Sequence, residues 1–120
     1  MDSAPTGDVS RISPRFKFET RIRIRIQRGG ETVTVGGWAR DMSESGIGAF
    51  VAETLATEEA IELEVPFPDG VTLNLPARVT RNLGTQYGLI FTALSPQQRN
   101  QIQKTMAGKA PLPSPFLPST

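Results

Sequence analysis

The chain has 120 residues, 38% of them apolar, and a formal net charge of +1. This length and composition suit one domain with one modest core. Because the chain has no cysteine and no histidine, disulfides, thiol catalysis, a histidine base and the common zinc sites are excluded. We find no signal-peptide pattern in residues 1–10 and no apolar run near the roughly 20 residues that span a bilayer. We therefore expect a cytoplasmic protein with no metal, no cofactor and no enzymatic activity.

Charge is distributed unevenly along the chain. Residues 11–28 hold seven basic residues and one acid, whereas residues 53–69 hold six acids and no base. The basic stretch favours an anionic partner on the N-terminal side of the domain.

Residues 1–10 are small, polar and turn-prone. They offer too little apolar surface to offset the entropy of ordering, so we predict a flexible N-terminal arm. Arg11 and Arg15 follow this arm, and Pro14 biases Ser13 toward an extended conformation. The two arginines are therefore predicted to lie on a semi-rigid tether and not on a helix face.

A strict two-residue alternation of apolar and polar side chains begins at Phe16 and continues to Gln27. It predicts an antiparallel strand with one solvent-facing side, which carries Arg21, Arg23 and Arg25. These arginines could form a nucleic-acid track, but no exposed aromatics are interleaved with them. A charged face also protects a strand from pairing with neighbouring chains. We favour the second interpretation.

The rest of the chain predicts five more strands. Residues 28–31 indicate a hairpin turn, and Gly36-Gly37 indicates a bulge or bend. Strand-like runs occur at 32–35, 47–52, 61–65, 71–81 and 87–91. Pro76, inside one of them, marks a bend or an edge position. About six strands joined by tight turns favour a small closed antiparallel barrel.

One helix is predicted after the strands. Its signals are an N-cap, a proline at the first helical position, a capping box and a terminating glycine, at Ser95, Pro96, Gln98 and Gly108. Its apolar stripe is thin, with Ile102 and Met106 one turn apart, so it should pack against the barrel without building the core. Four prolines in the last ten residues predict a disordered tail.

A carboxylate, a hydroxyl and a glycine occur together at residues 41–46. In extended chain Asp41 and Ser43 point to the same side, and Gly46 lets the backbone turn or approach another group closely. The same residue types are typical of an ordinary loop held by side-chain-to-backbone bonds. Taken alone, the stretch is therefore either a ligand-facing corner or a plain turn.

The combination of motifs resembles a PilZ domain over about residues 10–106. The resemblance is carried by R-x-x-x-R at Arg11 and Arg15, D-x-S-x-x-G at Asp41, Ser43 and Gly46, and a final strand at 87–91 leading into a closing helix. It implies an all-β fold, a six-stranded antiparallel β-barrel with one C-terminal α-helix, and the bacterial second messenger cyclic di-GMP as ligand.

Cyclic di-GMP is a dianion with two guanines, and the residue chemistry fits it. Arginine binds phosphate and the O6/N7 edge of guanine bidentately, which suits Arg11 and Arg15. Asp41 offers two oxygens to guanine N1–H and N2–H. Ser43 can donate or accept at a ribose, phosphate or base edge, and Gly46 leaves room for the ligand.

Four further residues are candidates for secondary ligand contacts: Ser10, Trp38, Arg40 and Arg81. PilZ domains often carry a tryptophan on the strand before the last hairpin, where this chain has Arg81 and Leu83. The Arg81 guanidinium could replace its stacking. Trp38 is equally interpretable as a core residue.

The resemblance implies a single-domain cyclic di-GMP receptor whose Arg11–Arg15 segment closes over the ligand and signals to a downstream protein. Control of motility, biofilm or exopolysaccharide is the expected output. We expect the arm at residues 1–10, the barrel with its closing helix at 11–107, and the disordered Pro-rich tail at 108–120. A monomer is expected, with ligand-dependent dimerisation as the alternative, and with no nucleic acid and no membrane insertion.

Two other functions remain open at this point. A degenerate barrel could act as a protein adaptor without nucleotide, through its acidic residues 58–64 or its tail. A nucleic-acid-binding barrel would use the Arg21, Arg23 and Arg25 face. An enzyme has the least support, since no nucleophile and base stand out.

Overall fold

The computed structural model describes residues 14–112. These residues form the strands β1 Phe16–Arg28, β2 Glu31–Met42, β3 Gly46–Val51, β4 Ala60–Pro66, β5 Thr72–Leu83 and β6 Gln86–Phe91, followed by the helix α1 Pro96–Met106. The strands close into a barrel in the order β1-β2-β3-β6-β5-β4. Every neighbouring pair is antiparallel. The predicted six-stranded antiparallel barrel with one C-terminal helix is confirmed.

Alternation along β1 separates core from surface as the sequence predicts. Phe18, Ile22, Ile24 and Ile26 are buried, whereas Glu19, Arg21 and Arg23 on the opposite face are exposed. Removing these apolar side chains from water is the main force that holds the sheet closed. The other strands complete the core with Ala39, Met42, Ile47, Ala49, Val51, Ile61, Leu63, Val65, Leu75, Ala77, Val79, Tyr87 and Leu89.

The hairpin between β1 and β2 is confirmed, whereas the predicted bulge at Gly36-Gly37 is wrong. Gly29 and Gly30 have φ values of 59° and 85°. A two-residue type I′ hairpin turn requires positive φ at both of its central residues. The β1–β2 register runs unbroken through Gly36 and Gly37. Close packing against β3 explains the glycine at position 37, since an added Cβ would lie 3.2 Å from the Phe50 carbonyl oxygen. The register shift of β2 falls later, between Ala39 and Asp41.

Pro76 occupies an edge-like position inside the closed barrel. It pairs with Glu62 of β4, while β6 ends at Phe91 opposite the next residue, Ala77. Its carbonyl accepts the Thr92 N–H at 3.0 Å, one residue past the end of β6, so the missing N–H of Pro76 falls where the β5–β6 ladder ends.

The helix has the capping box that the sequence predicts. Ser95 Oγ accepts a hydrogen bond from the Gln98 backbone N–H (3.1 Å), and Gln98 Oε1 accepts one from the Ser95 N–H (2.9 Å). Ile102 and Met106 are its buried residues. The chain then returns to the start of the barrel, where the Leu112 N–H donates to the Arg15 carbonyl at 2.8 Å. The predicted arm at residues 1–10 and the tail beyond residue 112 lie outside the described residues.

An ion pair ties the end of β1 to the loop before β4. Arg28 donates to the carboxylate of Glu59, and its Nη2 also donates to the Thr54 carbonyl at 3.2 Å. Glu59 Oε1 accepts a further bond from the Ala56 N–H at 2.9 Å. The hydrogen bond from Arg28 lowers the pKa of Glu59 below its ordinary value, against the opposing effect of burial.

This lowered pKa predicts an acid-dependent stability. A carboxyl whose pKa is lower folded than unfolded stabilises the fold above its unfolded pKa, and this contribution is lost as the pH falls through the folded pKa. We expect the thermal midpoint of the wild type to fall more steeply than that of Glu59→Gln below about pH 4.3. Calorimetric melts at stepped pH measure the difference. Glu31→Gln in the exposed hairpin is the control, and a wild-type slope in Glu59→Gln would contradict the assignment.

Candidate functional site

The pairing of β1 with β2 joins the two halves of the sequence motif. Arg15 stands just before β1, and Asp41 lies near the end of β2, opposite Lys17. Arg15 Nε donates to Asp41 Oδ1 at 2.6 Å, with the two side chains 42% and 18% exposed. A cation and a carboxylate that are distant in sequence therefore meet on the barrel surface. Arg11 and Ser10 lie outside the described residues.

Ser43 holds the loop between β2 and β3 from inside. Its side chain is fully buried, and its Oγ accepts the Ser45 N–H at 3.1 Å and lies 3.0 Å from Ser45 Oγ. The Ser43 N–H donates to the Gly46 carbonyl at 2.9 Å. These are the side-chain-to-backbone bonds of an ordinary tight loop. Direct contact between the Ser43 hydroxyl and a ligand would therefore require this loop to open.

Gly46 lets β3 approach β6. It pairs with Ile90, and a Cβ added at Gly46 would lie 2.2 Å from the Leu89 carbonyl oxygen. The φ angle of Gly46 is not in the left-handed region, so close packing and not turn geometry explains the glycine. Room for a ligand at Gly46 stays a prediction.

The strand register places Arg81 on the same face as Asp41. One row of cross-strand partners runs Asp41, Gly48, Gly88 and Arg81 across β2, β3, β6 and β5. Their sequence neighbours Met42, Ala49 and Tyr87 are buried, so the row faces outward. Gly48 and Gly88 could not be identified as site residues from the sequence, because their significance depends on a register that connects non-consecutive strands.

Trp38 and Arg40 lie in the adjacent outward row. Trp38 is 42% exposed and pairs with Phe50, which is 38% exposed. The interpretation of Trp38 as a core residue is wrong, because Ala39 takes the inward position of β2. The Arg40 guanidinium lies 4.8 Å from the Phe50 ring centroid and donates to Gln86 Oε1 at 3.3 Å. The face that carries Asp41 is thus bordered by exposed aromatic side chains.

The basic row of β1 is divided between two surroundings. Arg25 donates to Glu62 and Glu64, both at 3.0 Å, and so links β1 to β4 by salt bridges. Arg21 instead lies opposite Trp38. The expectation that no exposed aromatic accompanies this row therefore holds within β1 but not for the neighbouring strand.

Asp41 does not line either of two cavities on the barrel. One, of about 360 Å³, is lined by Lys17, Phe18, Phe67 and Lys109. Another of about 290 Å³ lies between Ser45, Phe91 and Arg99. Within residues 14–112, no group of three or more acidic, histidine or cysteine side chains could hold a metal ion. A ligand at Asp41 would therefore be held by side chains projecting from a sheet surface.

The fold and this surface define a small β-barrel with a charged, open face. The family model described as "PilZ domain" matches residues 10–108. The chain belongs to the PilZ domain family. Across residues 14–112, the one helix is too short to cross a bilayer.

The solved structures that resemble the chain include two that we describe in turn. The PilZ domain of CeSA from a cellulose-synthesizing bacterium is 22% identical, with a TM-score of 0.63, and the match covers 78% of this chain and 96% of that one. YcgR from Escherichia coli, solved in complex with c-di-GMP, is 20% identical, with a TM-score of 0.58, and the match covers 78% of this chain and 42% of that one. These similarities show a shared fold. No curated protein sequence matches the chain.

The close approach at Gly46 predicts a large effect of a small substitution. Gly46→Ala would push a methyl group into the β6 backbone, which cannot rotate away as a side chain can. We expect a loss of about 1–3 kcal/mol of unfolding free energy, measured by urea denaturation. Gly36→Ala is the matched strand control, because an added Cβ there meets no atom within 4 Å. Equal stability of the two variants would show that β3 and β6 are not held this closely.

Proposed function

We propose that this protein is a cytoplasmic receptor for cyclic di-GMP, and an effector without catalytic activity. The observation that carries the proposal is the contact of Arg15 with Asp41, which unites the R-x-x-x-R and D-x-S-x-x-G halves on one face. Membership of the PilZ family and the shared fold with YcgR, which was solved with c-di-GMP, support it.

The proposed contacts follow from complementary chemistry. Asp41 accepts the guanine N1–H and N2–H donors, and Arg15, with Arg11, binds phosphate or the O6/N7 edge. Arg81, which the register places on the Asp41 face, supplies a further cation. Ser43 and Gly46 act by holding the loop after Asp41, as their contacts support. Adenine has no pair of donors on the corresponding edge, so Asp41 would select guanine.

We propose that the ligand works by displacing Arg15. The Arg15–Asp41 pair is partly exposed, and such pairs contribute only about 0–1 kcal/mol. A guanine edge can therefore take Asp41 while Arg15 moves to a phosphate. The same residue accepts the Leu112 N–H through its carbonyl, so its movement would also affect the segment after the helix. In this proposal the closed Arg11–Arg15 segment is what a downstream protein reads, in the control of motility, biofilm or exopolysaccharide.

A protein adaptor without nucleotide is the second candidate. The exposed apolar residues Trp38, Phe50 and Leu83 favour it, since they lie in one cross-strand row that includes Gln86. The acidic stretch favours it less, because Glu59 is bound to Arg28, and Glu62 and Glu64 to Arg25. Titration with cyclic di-GMP separates the two candidates.

Calorimetric titration of single variants tests the receptor proposal. Arg15→Ala and Asp41→Ala should each weaken cyclic di-GMP binding by about thirty-fold or more, the loss expected on removing one charged hydrogen-bond partner. Melting temperatures should change little, because neither side chain belongs to the buried core.

The matched control is Arg23→Ala, which removes an arginine from the exposed side of β1. It should keep nearly wild-type affinity. Cyclic di-AMP, with the same charge, is the ligand control and should bind weakly to the wild type. If Arg23→Ala lost as much affinity as Arg15→Ala, the ligand would lie on the outer face of β1 and the assigned contacts would be wrong.

Amide NMR tests the conformational part. Cyclic di-GMP should shift the resonances of Arg15 and Leu112, because displacement of Arg15 alters the bond between them. The amide of Glu31, at the hairpin end of the β1–β2 pair and far along the ladder from Asp41, should shift little. Binding without any change at Arg15 and Leu112 would disprove the displacement while leaving the receptor assignment standing.

A further inference from the structure

Both strands that carry the charged ends of the outward row are bulged at the same level. β2 shifts register between Ala39 and Asp41, so that Arg40 is the extra residue. β5 shifts between Val79 and Arg81, so that Thr80 is the extra residue. A bulge re-aims the side chain that follows it. Here the re-aimed side chains are the Asp41 carboxylate and the Arg81 guanidinium, at opposite ends of the row.

The two strands between them carry no side chain at that level. Gly48 of β3 and Gly88 of β6 are direct cross-strand partners. A Cβ added at Gly48 would lie 2.8 Å from Asp41 Oδ1 and 3.1 Å from Oδ2. A Cβ added at Gly88 would lie 3.2 Å from Arg81 Cβ and 3.8 Å from Arg81 Nε. The Asp41 carboxylate therefore bounds the space of the missing side chain at Gly48, and the Arg81 side chain bounds that at Gly88 together with Thr80 Oγ1, at 3.5 Å.

Because these side chains lie in the spaces beside the two glycines, the distance between the Asp41 carboxylate and the Arg81 guanidinium is shortened. Three strand spacings separate β2 from β5, so side chains standing straight out from the sheet would be about 14 Å apart, wider than one purine base. Asp41 leans over β3 and Arg81 leans over β6. The Asp41 carboxylate and the Arg81 guanidinium thus both face the surface above the Gly48–Gly88 pair.

We infer that Gly48 and Gly88 are positioning residues, which seat the Asp41 carboxylate and the Arg81 guanidinium over the middle strands so that both contact one ligand molecule. The inference rests on the proposed function, since it concerns the same site. Gly48 and Gly88 lie outside both sequence motifs. In this inference they set the spacing between the Asp41 carboxylate and the Arg81 guanidinium.

Substitution of Gly48 tests the first half. Gly48→Ala puts a methyl group where the Asp41 carboxylate lies, so the carboxylate must move while the barrel backbone stays. We expect about a ten-fold loss of cyclic di-GMP affinity by calorimetry, as for a binding group displaced by a fraction of an ångström. Gly36→Ala, in an open strand position, should bind as the wild type does.

A double-variant cycle separates positioning from general damage to the strand. If Gly48 acts through Asp41, adding Gly48→Ala to Asp41→Ala should cost no further affinity. The same cycle with Gly88→Ala and Arg81→Ala tests the second half, with about a three-fold loss expected in the wild-type background. A loss that persists in full without the charged partner would overturn the corresponding half, and so would a Gly→Ala variant that binds normally.

One readout needs no ligand. Arg15 Nε–Hε donates to Asp41, so its side-chain NMR resonance reports where the carboxylate lies. Gly48→Ala should move this resonance toward that of an exposed arginine, whereas Gly36→Ala should not. An unmoved resonance would overturn the seating of Asp41. If the wild type failed to bind cyclic di-GMP while the resonance moved as expected, the proposed function would fail and the seating would stand.

Discussion

The register of the closed barrel is the constraint on which the surface depends. Side chains alternate between the core and the outer face along every strand, so a slip of one residue would turn each set to the wrong side. Ile24, Leu63, Val65, Leu75 and Val79 are fully buried and oppose any such slip. Closure removes the free edges where a strand could slide. The core thereby fixes which side chains share the outward row of Asp41.

Local departures from that register lie next to the candidate site. The shifts occur between Lys17 and Thr20, between Ala39 and Asp41, and between Val79 and Arg81. The β3–β6 pairing between them is regular from Gly46 to Phe50. With a regular centre and bulged flanks, Gly48 and Gly88 stay directly paired while the side chains on both sides are redirected over them. The bulge also explains the position of Arg40. As the extra residue of β2, it has no direct partner on β3, and its side chain lies against the Phe50 ring.

The sequence predicts well what depends on local periodicity and local chemistry. The alternation from Phe16 to Gln27, the Gly29-Gly30 hairpin and the capping box at Ser95 each involve residues near in sequence, and all are confirmed. The sequence fails to predict a residue's role where that role depends on close contact with the backbone of a distant strand. Gly36-Gly37 is interpreted from the sequence as a bulge or bend, but Gly37 accommodates the Phe50 carbonyl. For Gly46 the sequence leaves a turn and a close approach open, and it cannot say that the group approached is the Leu89 carbonyl. Trp38 shows the same limit, because its exposure follows from Ala39 taking the inward position at the bulge. No local pattern reports such contacts.

The partial exposure of the Arg15–Asp41 pair has a consequence for ligand exchange. A carboxylate that is 18% exposed has lost much of its hydration, so it needs a donor, and Arg15 supplies one. In the proposed complex, a guanine edge supplies two neutral donors in place of one charged donor, which keeps Asp41 satisfied. Arg15, at 42% exposed, remains close enough to water to move at little cost. In the proposed exchange, the released guanidinium pairs with a phosphate of the ligand, so one charged contact replaces another. Asp41 gains two hydrogen bonds from guanine that it lacks without ligand, and these are the differential interaction that a ligand needs to shift a conformational equilibrium.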